Sequence, residues 1–258
     1  FQPPRLKPDH KGFRTYHDML EYEDGDTPSA NQGFHCGALF AARELGYTVS
    51  VEEIAKAKAG YVRQFNADGG YMQTSLMKPE LIGQDSLYGE VLTYCVFGEK
   101  LLPDDIVRKH LETTMRIQTP YGMRVISKAN GDLVDGHSGV YVYGGSWFLN
   151  DSANYLCGLI HGMDPKWVDD QLIWRLEKEL ATMPAFHESI STVDGHPHGH
   201  HLYSWNSGYH CLRKNVRARL NMTGPDPVEQ RLDKLLGVTR SNNALELNLD
   251  SAKLRPVR

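Results

Sequence analysis

Residues 184–215 read PAFHESISTVDGHPHGHHLYSWNSGYHCLRKN, and the rest of the chain is organised around them. The stretch places one carboxylate, Glu188, in an apolar setting, and a turn follows at Asp194-Gly195. A histidine-rich polar loop comes next, and an aromatic-led helix starts near Trp205. A loop that brings a carboxylate, histidines and a tryptophan to the start of a helix is typical of a sugar-binding cleft.

The composition excludes several classes of protein. The 258 residues are 40% hydrophobic and 23% charged, as expected for a globular chain with a sizeable core. The net charge of -4 gives no reason to expect a nucleic-acid partner, and no apolar run approaches the roughly 20 residues that span a membrane. The start at Phe1, without Met, predicts a processed or truncated piece. Buried free thiols, and hence a reducing, cytoplasmic compartment, are favoured because no CxxC spacing links Cys36, Cys95, Cys157 and Cys211.

A degenerate repeat of helical hairpins runs through the sequence. Apolar helices are predicted over residues 32–45, 85–97, 147–161 and 205–220, with glycine stops at positions 46, 98, 162 and 224. A more charged helix follows each stop, over about 50–65, 103–117, 164–182 and 225–236. We expect the apolar helix of each pair to lie inside and the charged helix outside.

The connections between successive pairs are long and lie on one rim, at the starts of the inner helices. They cover residues 66–84, 118–146 and 183–204, and long loops gathered on one rim usually carry function. Short strands are predicted at 123–126, 139–143 and 244–249. The predicted organisation is an irregular segment over 1–26, a helical catalytic domain over 27–238 and a polar tail over 239–258.

Three stretches resemble the six-hairpin glycosidases, a superfamily that includes trehalases, α-glucosidases, glucoamylases and α-rhamnosidases. YVYGGSWFLND at 141–151 is similar to that family's Gly-x-Trp-x-x-Asn stretch, and QTPYGMR at 118–124 resembles a rim segment. HESI at 187–190 with YSWNSG at 203–208 resembles the loop that bears the catalytic base. The resemblance implies an all-α fold, an (α/α)6 toroid of helical hairpins with short β segments in the rim loops. About four of the six hairpins are present, so an additional chain or an N-terminal region would complete the toroid.

The resemblance also implies an inverting glycoside hydrolase with a carboxylic acid and a carboxylate base. Glu188 matches the base, and the acid is expected across the ring, where Asp18 and Asp26 belong to an acidic cluster. No Ser-Gly-x-Asp acid motif is present. The alternatives are a solvated loop glutamate at position 188, and an acidic cluster that serves only a helix start.

The substrate expected at this rim is an oligosaccharide or glycoside. Trp147 and Trp205 would stack on sugar rings, and core packing is the alternative for each. Polar contacts to sugar hydroxyls are assigned to Asn150, Asp151 and Asn206, with backbone capping as the alternative, and also to Asp85, His200 and His201. We expect no cofactor, and no metal either, because the histidines of the loop lack an HExxH or cysteine partner.

Three alternatives use the same rim. A glycoside phosphorylase would need an anion pocket, for which His200, His201 and Arg124 are available. A polysaccharide lyase would use a tyrosine–histidine pair, with Tyr203, Tyr209 and His210 available. The third alternative is a non-catalytic sugar-binding subunit. Nucleotide-binding and serine-hydrolase functions have no support, since the sequence lacks GxGxxG, P-loop and GxSxG motifs.

Overall fold

The computed structural model of the protein describes residues 29–136, 143–181, 185–201, 204–241 and 244–247. Its α-helices are α1 (Ser29–Glu44), α2 (Val51–Val62), α3 (Tyr88–Phe97), α4 (Asp104–Arg116), α5 (Phe148–Ile160), α6 (Pro165–Glu179), α7 (Ser204–Ser207), α8 (Tyr209–Arg219) and α9 (Pro227–Leu236). A 3-10 helix, Gln84–Leu87, leads directly into α3. Each predicted helix within the described residues is confirmed, although the helix predicted over 205–220 is divided into α7 and α8.

The local chemistry of the helix ends explains why the sequence predicts them well. Ser50 and Glu53 form a complete capping box at the start of α2, and Asp164 and Asp226 cap α6 and α9 ahead of a proline. The glycines at 46, 98 and 162 have φ values of 87°, 74° and 82°, in the left-handed region that glycine tolerates. The fourth predicted stop differs, because Asn221, with φ of 54°, takes the left-handed position instead of Gly224.

The strands are β1 (Phe65–Asn66), β2 (Tyr71–Ser75), β3 (Lys78–Gly83), β4 (Ile126–Lys128), β5 (Gly145–Ser146), β6 (His187–Ser191), β7 (Pro197–His201), β8 (Val238–Ser241) and β9 (Ala244–Leu247). They form antiparallel sheets in the orders β1-β2-β3-β4, β5-β6-β7 and β8-β9. Of the predicted short strands, 244–249 is confirmed by β9, and 123–126 meets β4 only at Ile126. Residues 139–142 lie outside the described part of the chain.

The predicted all-α toroid is wrong. The described residues form a mixed α and β fold, in which antiparallel sheets of four and three strands accompany the helices. The long connections pair with one another instead of remaining loops: Gly83 of β3 pairs with Ile126 of β4, and Ser146 of β5 pairs with Ile190 of β6. All five residues of β2 are buried, so this connection contributes to the core.

The packing of the helices also differs from a ring of equal hairpins. The pairs α1–α2 and α5–α6 pack closely, whereas α4 packs mainly on α5 and β2. Helix α3 contacts α1, α5 and α8, and α5 also contacts α8, so these helices form one compact group. Every residue of α5 is buried, which makes it the central element of this group.

Two further expectations concern the thiols and the membrane. Cys36, Cys95 and Cys157 are buried free thiols as predicted, but Cys211 is exposed on α8. Within the part of the chain that the structure describes, none of the helices has the length and apolar character needed to cross a membrane.

Candidate functional site

The starts of several helices meet at one end of the molecule. The 3-10 helix contacts both α1 and α5, and α7 contacts both α5 and β6. The first N–H groups of a helix have no partner within the helix. Several helix starts that lie together therefore create a polar environment. We call this end the helix-start face and define it by residues 29–31, 84–86, 147–151 and 204–206. The strands β5, β6 and β7 lie beside it, because α5 follows β5 and α7 follows β7.

Glu188 is a half-buried carboxylate on β6, next to the helix-start face. Its Oε2 accepts a 3.0 Å hydrogen bond from the backbone N–H of His200 on β7. Gly199, with φ of 76°, leaves the necessary room, since a Cβ there would lie 2.1 Å from Glu188 Oε2. Among the described residues, no lysine, arginine or histidine forms an ion pair with Glu188. The backbone therefore positions this carboxylate, and its charge is left available.

Asn206 fixes the strand of Glu188 to the start of α5. This side chain is fully buried, and its Oδ1 accepts a 3.2 Å hydrogen bond from the N–H of Leu149. Its Nδ2 donates to the carbonyl of His187 and, at 3.4 Å, to the carbonyl of Glu188. The Asn206 amide thus positions Glu188 rather than facing solvent.

Asp151 belongs to a buried ion cluster. Its Oδ2 lies 2.6 Å from Arg175 Nε, and its Oδ1 accepts a 3.3 Å hydrogen bond from the N–H of Met123. Arg175 also bonds Glu179 at 2.9 Å, and Glu179 accepts from the N–H of His187 at 2.8 Å. The three charged side chains have essentially no exposed surface. The Asp151 oxygens are therefore used within the protein, and the cluster joins α5 to α6 and, through Glu179, to β6.

Two of the predicted sugar-contact residues keep some exposure. Trp147 is half-buried at the cap of α5 and packs against a small apolar cluster of Leu81, Val125 and Ile126. Asp85 is half-buried in the 3-10 helix. Both positions lie on the helix-start face, so the structure brings Trp147, Asp85 and Asn150 to one end of the molecule.

The other predicted site residues lie on β7, in α7 or outside the described residues. His200 and His201 are on β7, with His200 exposed, and Trp205 is in α7. The two candidates for the acid, Asp18 and Asp26, lie outside the described residues, and so does Tyr203.

Three of the residues available to the alternative functions have partners or are inaccessible. Tyr209 is fully buried, and burial raises the pKa of its hydroxyl well above the usual value. His210 Nδ1 lies 2.5 Å from Glu229 Oε1. Arg124 donates to Thr192 Oγ1 at 3.1 Å and to a backbone carbonyl. Tyr209, His210 and Arg124 are thus engaged within the protein, whereas the side chain of His200 is exposed.

Sequence reasoning missed a set of buried polar groups beside this face. The Oε1 of Gln84 has no hydrogen-bond partner, although this residue is only 2% exposed. Asn154 Nδ2 donates to the carbonyls of Gln84, at 2.6 Å, and Asn150, at 2.9 Å. His110 Nδ1 accepts a 3.0 Å hydrogen bond from the N–H of Met72, while its Nε2 has no hydrogen-bond partner. The polar residue at position 154, one turn after Asn150 and Asp151 in α5, was the available signal.

The described residues contain no group of three histidine, cysteine, aspartate or glutamate side chains able to hold a metal ion. Comparison of the sequence with models of known protein families gives no match, and comparison with curated proteins gives none either.

Proposed function

We propose that the protein is a carbohydrate-active enzyme, an inverting glycoside hydrolase in which Glu188 is the general base. The observation that carries the proposal is that Glu188, unlike the neighbouring carboxylates, has no cationic partner among the described residues. It is half-buried, positioned by backbone hydrogen bonds and without a cationic partner in the described residues. The neighbouring carboxylates Asp151 and Glu179 are both paired with Arg175. A base that activates water needs a carboxylate oxygen with a lone pair free for the water, and in this proposal Glu188 supplies it.

The other roles follow from position on the helix-start face. Trp147 offers a flat apolar surface on which a sugar ring can stack. Asn206 is a positioning residue, since it holds the backbone of Glu188. The acid that protonates the leaving oxygen is proposed to be Asp26 or Asp18, as the family resemblance implies. The chemistry needs no cofactor.

The test is product analysis on the full chain with a panel of α- and β-linked glycosides, with and without phosphate. Proton NMR would follow the anomer of the first product. We expect an inverted free sugar without any need for phosphate, and a loss of 10²- to 10⁴-fold in the rate on Glu188→Gln. The amide keeps an acceptor for the His200 N–H, so the variant should fold. Glu112→Gln, at an exposed position on α4, is the matched control and should retain the rate.

Other products would change the assignment. A sugar phosphate would indicate a phosphorylase, and an unsaturated sugar would indicate a lyase. Sugar binding without turnover would support the non-catalytic subunit. Full activity in Glu188→Gln would reject Glu188 as the base.

A further inference from the structure

The helices α1 and α3 leave an apolar surface uncovered. Four of their exposed side chains are apolar, namely Phe34 and Ala38 on α1 and Leu92 and Val96 on α3. Phe34 is 44% exposed and Val96 is 61% exposed, although both residue types are usually buried. We call these four residues the α1–α3 face. Contiguous exposed apolar patches on globular proteins mark interaction sites.

The close packing of α1 on α3 determines how this face is built. Gly33 packs on Gly89 and Gly37 packs on Thr93, so the two helices lie side by side and run in the same direction. A Cβ on Gly89 would lie 2.4 Å from the Cα of Gly33, so the backbones are in direct contact. The two helices therefore present one rigid surface.

The four exposed side chains point to the same side of this helix pair. Phe34 and Ala38 each follow one of the contact glycines of α1, whereas Leu92 comes one position before the contact threonine of α3, and Val96 lies one turn later. Consecutive residues are about 100° apart around a helix axis, so one step forward on one helix and one step back on a parallel neighbour lead to the same side. The rings of Phe34 and Tyr88 meet across the two helices, with centroids 6.4 Å apart.

The α1–α3 face also lacks charged side chains. Residues Ser29 to Ala42 of α1 include no aspartate, glutamate, lysine or arginine, and the one such residue of α3, Glu90, is fully buried. A helix that faces water normally carries charged residues on its exposed side, and α4 follows this rule. Its exposed positions are Asp104, Asp105, Arg108, Lys109, Glu112 and Arg116. The α1–α3 face therefore has the composition of an interface.

The charges that border the face favour an occupant of the same kind as the face itself. An uncharged surface meets its own copy without like-charge repulsion. At the C-terminal ends of the two helices the exposed side chains have both signs, since Arg43 and Glu44 end α1 and Glu99 follows α3. Arg219 lies at the same end, where its Nη2 donates to the carbonyl of Val96. A strongly acidic or strongly basic partner would meet charges of its own sign here, whereas a second copy of this chain brings both signs.

We propose that the α1–α3 face is a homodimer interface, in which the helix pair of one copy packs on the same pair of a second copy. Closed two-fold dimers are the commonest oligomers, and their interface uses one surface twice. Residues 1–28 fit this face less well, because they include an acidic cluster over 18–26 that would lose its hydration on an uncharged surface. The inference does not depend on the proposed hydrolase activity.

The test measures the mass of the full chain in solution. Sedimentation velocity and light scattering would cover about 1 to 200 µM, a range in which dimers of moderate affinity dissociate. We expect twice the 29.1 kDa of one chain at the upper concentrations. Val96→Glu should raise the Kd of the dimer at least about tenfold, because the new charge would be desolvated in the interface.

Val193→Glu is the matched control. Val193 lies in the turn between β6 and β7 and is 59% exposed, against 61% for Val96, so the same change in chemistry falls outside the α1–α3 face. This variant should have the same dimer Kd as the parent. If Val96→Glu does not fold, as judged by circular dichroism, Ala38→Glu on α1 takes its place.

Two results would overturn the proposal. A parent chain that is monomeric at every concentration would assign the α1–α3 face to another segment of the chain or to a different protein. A dimer that is unaffected by both Val96→Glu and Ala38→Glu would place the interface elsewhere on the molecule.

Discussion

At the scale of single residues, the buried cluster beside the candidate site pairs one cation, Arg175, with two carboxylates, Asp151 and Glu179. Burial raises the pKa of Asp151 to about 6, and the Arg175 guanidinium opposes this shift. Ser146 Oγ also donates to Asp151 Oδ2 at 2.9 Å. Gly122 allows this close packing, since a Cβ there would lie 2.1 Å from Ser146 Oγ. Removing one partner from such a cluster is costly because it leaves uncompensated charge in the interior.

We therefore expect Arg175→Met to destabilise the protein by about 3–5 kcal/mol at pH 7. The loss should be smaller at pH 5. In the variant, burial raises the pKa of Asp151 without opposition from Arg175, so the folded state takes up protons that the unfolded state does not bind. Stability from such a group is lost as pH rises through the raised pKa, so the deficit grows from pH 5 to pH 7. Urea denaturation at the two pH values measures this difference.

Arg108→Met, at an exposed position on α4, provides the control and should change stability little at either pH. An equal loss at pH 5 and pH 7 in Arg175→Met would show that packing, and not charge, accounts for the effect.

At the scale of elements, α1 and α3 run parallel in unusually close contact. Gly33 packs on Gly89, and Gly37 packs on Thr93, so both helices advance in the same direction. A Cβ on Gly89 would lie 2.1 Å from the carbonyl carbon of Gly33 and 2.6 Å from the nitrogen of Phe34. These are backbone atoms, which cannot rotate away, so the two helices would have to separate.

Gly89→Ala should therefore destabilise the protein by about 3 kcal/mol, at the upper end of overpacking effects. Gly60→Ala in α2 is the matched control, because the nearest atom to its Cβ would be the flexible Gln32 Oε1 at 3.3 Å. There the gain in helix propensity should make the variant neutral or more stable by about 0.5–1 kcal/mol. Thermal and urea unfolding would measure the change in the free energy of unfolding. We expect a loss for Gly89→Ala and no change or a gain for Gly60→Ala. Equal effects would mean that α1 and α3 can move apart without cost.

The sequence predicted the helices because their ends carry local signals, such as the Ser50–Glu53 capping box and Gly98. The sheets were harder to predict, since β3 and β4 pair across more than one intervening helix. Register between distant segments is a tertiary property, and short strands such as β5 carry almost no local pattern. At the candidate site, the assignment of Glu188 as the base comes from its surroundings in the sequence and stays a prediction. Arg175 and Glu179 were assigned to an outer helix, because an i,i+4 ion pair looks the same in sequence whether it is exposed or buried.

At the scale of the whole molecule, buried polar networks lie at the two ends of α5. At the C-terminal end, His161 bridges Glu90 at 3.0 Å and Asp104 at 2.7 Å. Glu90 is fully buried and also accepts from the N–H groups of Leu101 and Leu102. At the N-terminal end, Asp151 bonds Arg175 and Ser146, and Asn206 bonds the N–H of Leu149. Buried polar networks therefore fix both ends of α5, and the Oε1 of Gln84, in the neighbouring 3-10 helix, is a buried acceptor without a partner.

The same core makes the stability of the whole molecule depend on pH through His110. Burial lowers the pKa of His110 to about 3, against an interaction with Asn154 that raises it. In the unfolded chain the pKa is about 6.5, so between pH 6.5 and 3 the unfolded state binds a proton that the folded state does not. The free energy of unfolding therefore falls as pH is lowered through this range, by up to about 1.4 kcal/mol per pH unit from this residue.

His110→Asn should remove that contribution, because asparagine does not titrate and its Oδ1 can still accept from the N–H of Met72. The variant would lose stability at pH 7 through the smaller side chain, but its free energy of unfolding should decline less steeply from pH 6.5 to pH 4 than that of the parent. Urea denaturation at half-unit pH steps measures both slopes, and His196→Asn, at an exposed position, controls for loss of a histidine. Parallel slopes in parent and variant would mean that His110 is protonated in the folded state. Its Nδ1 could then no longer accept from the N–H of Met72, so the start of β2 would lose this hydrogen bond.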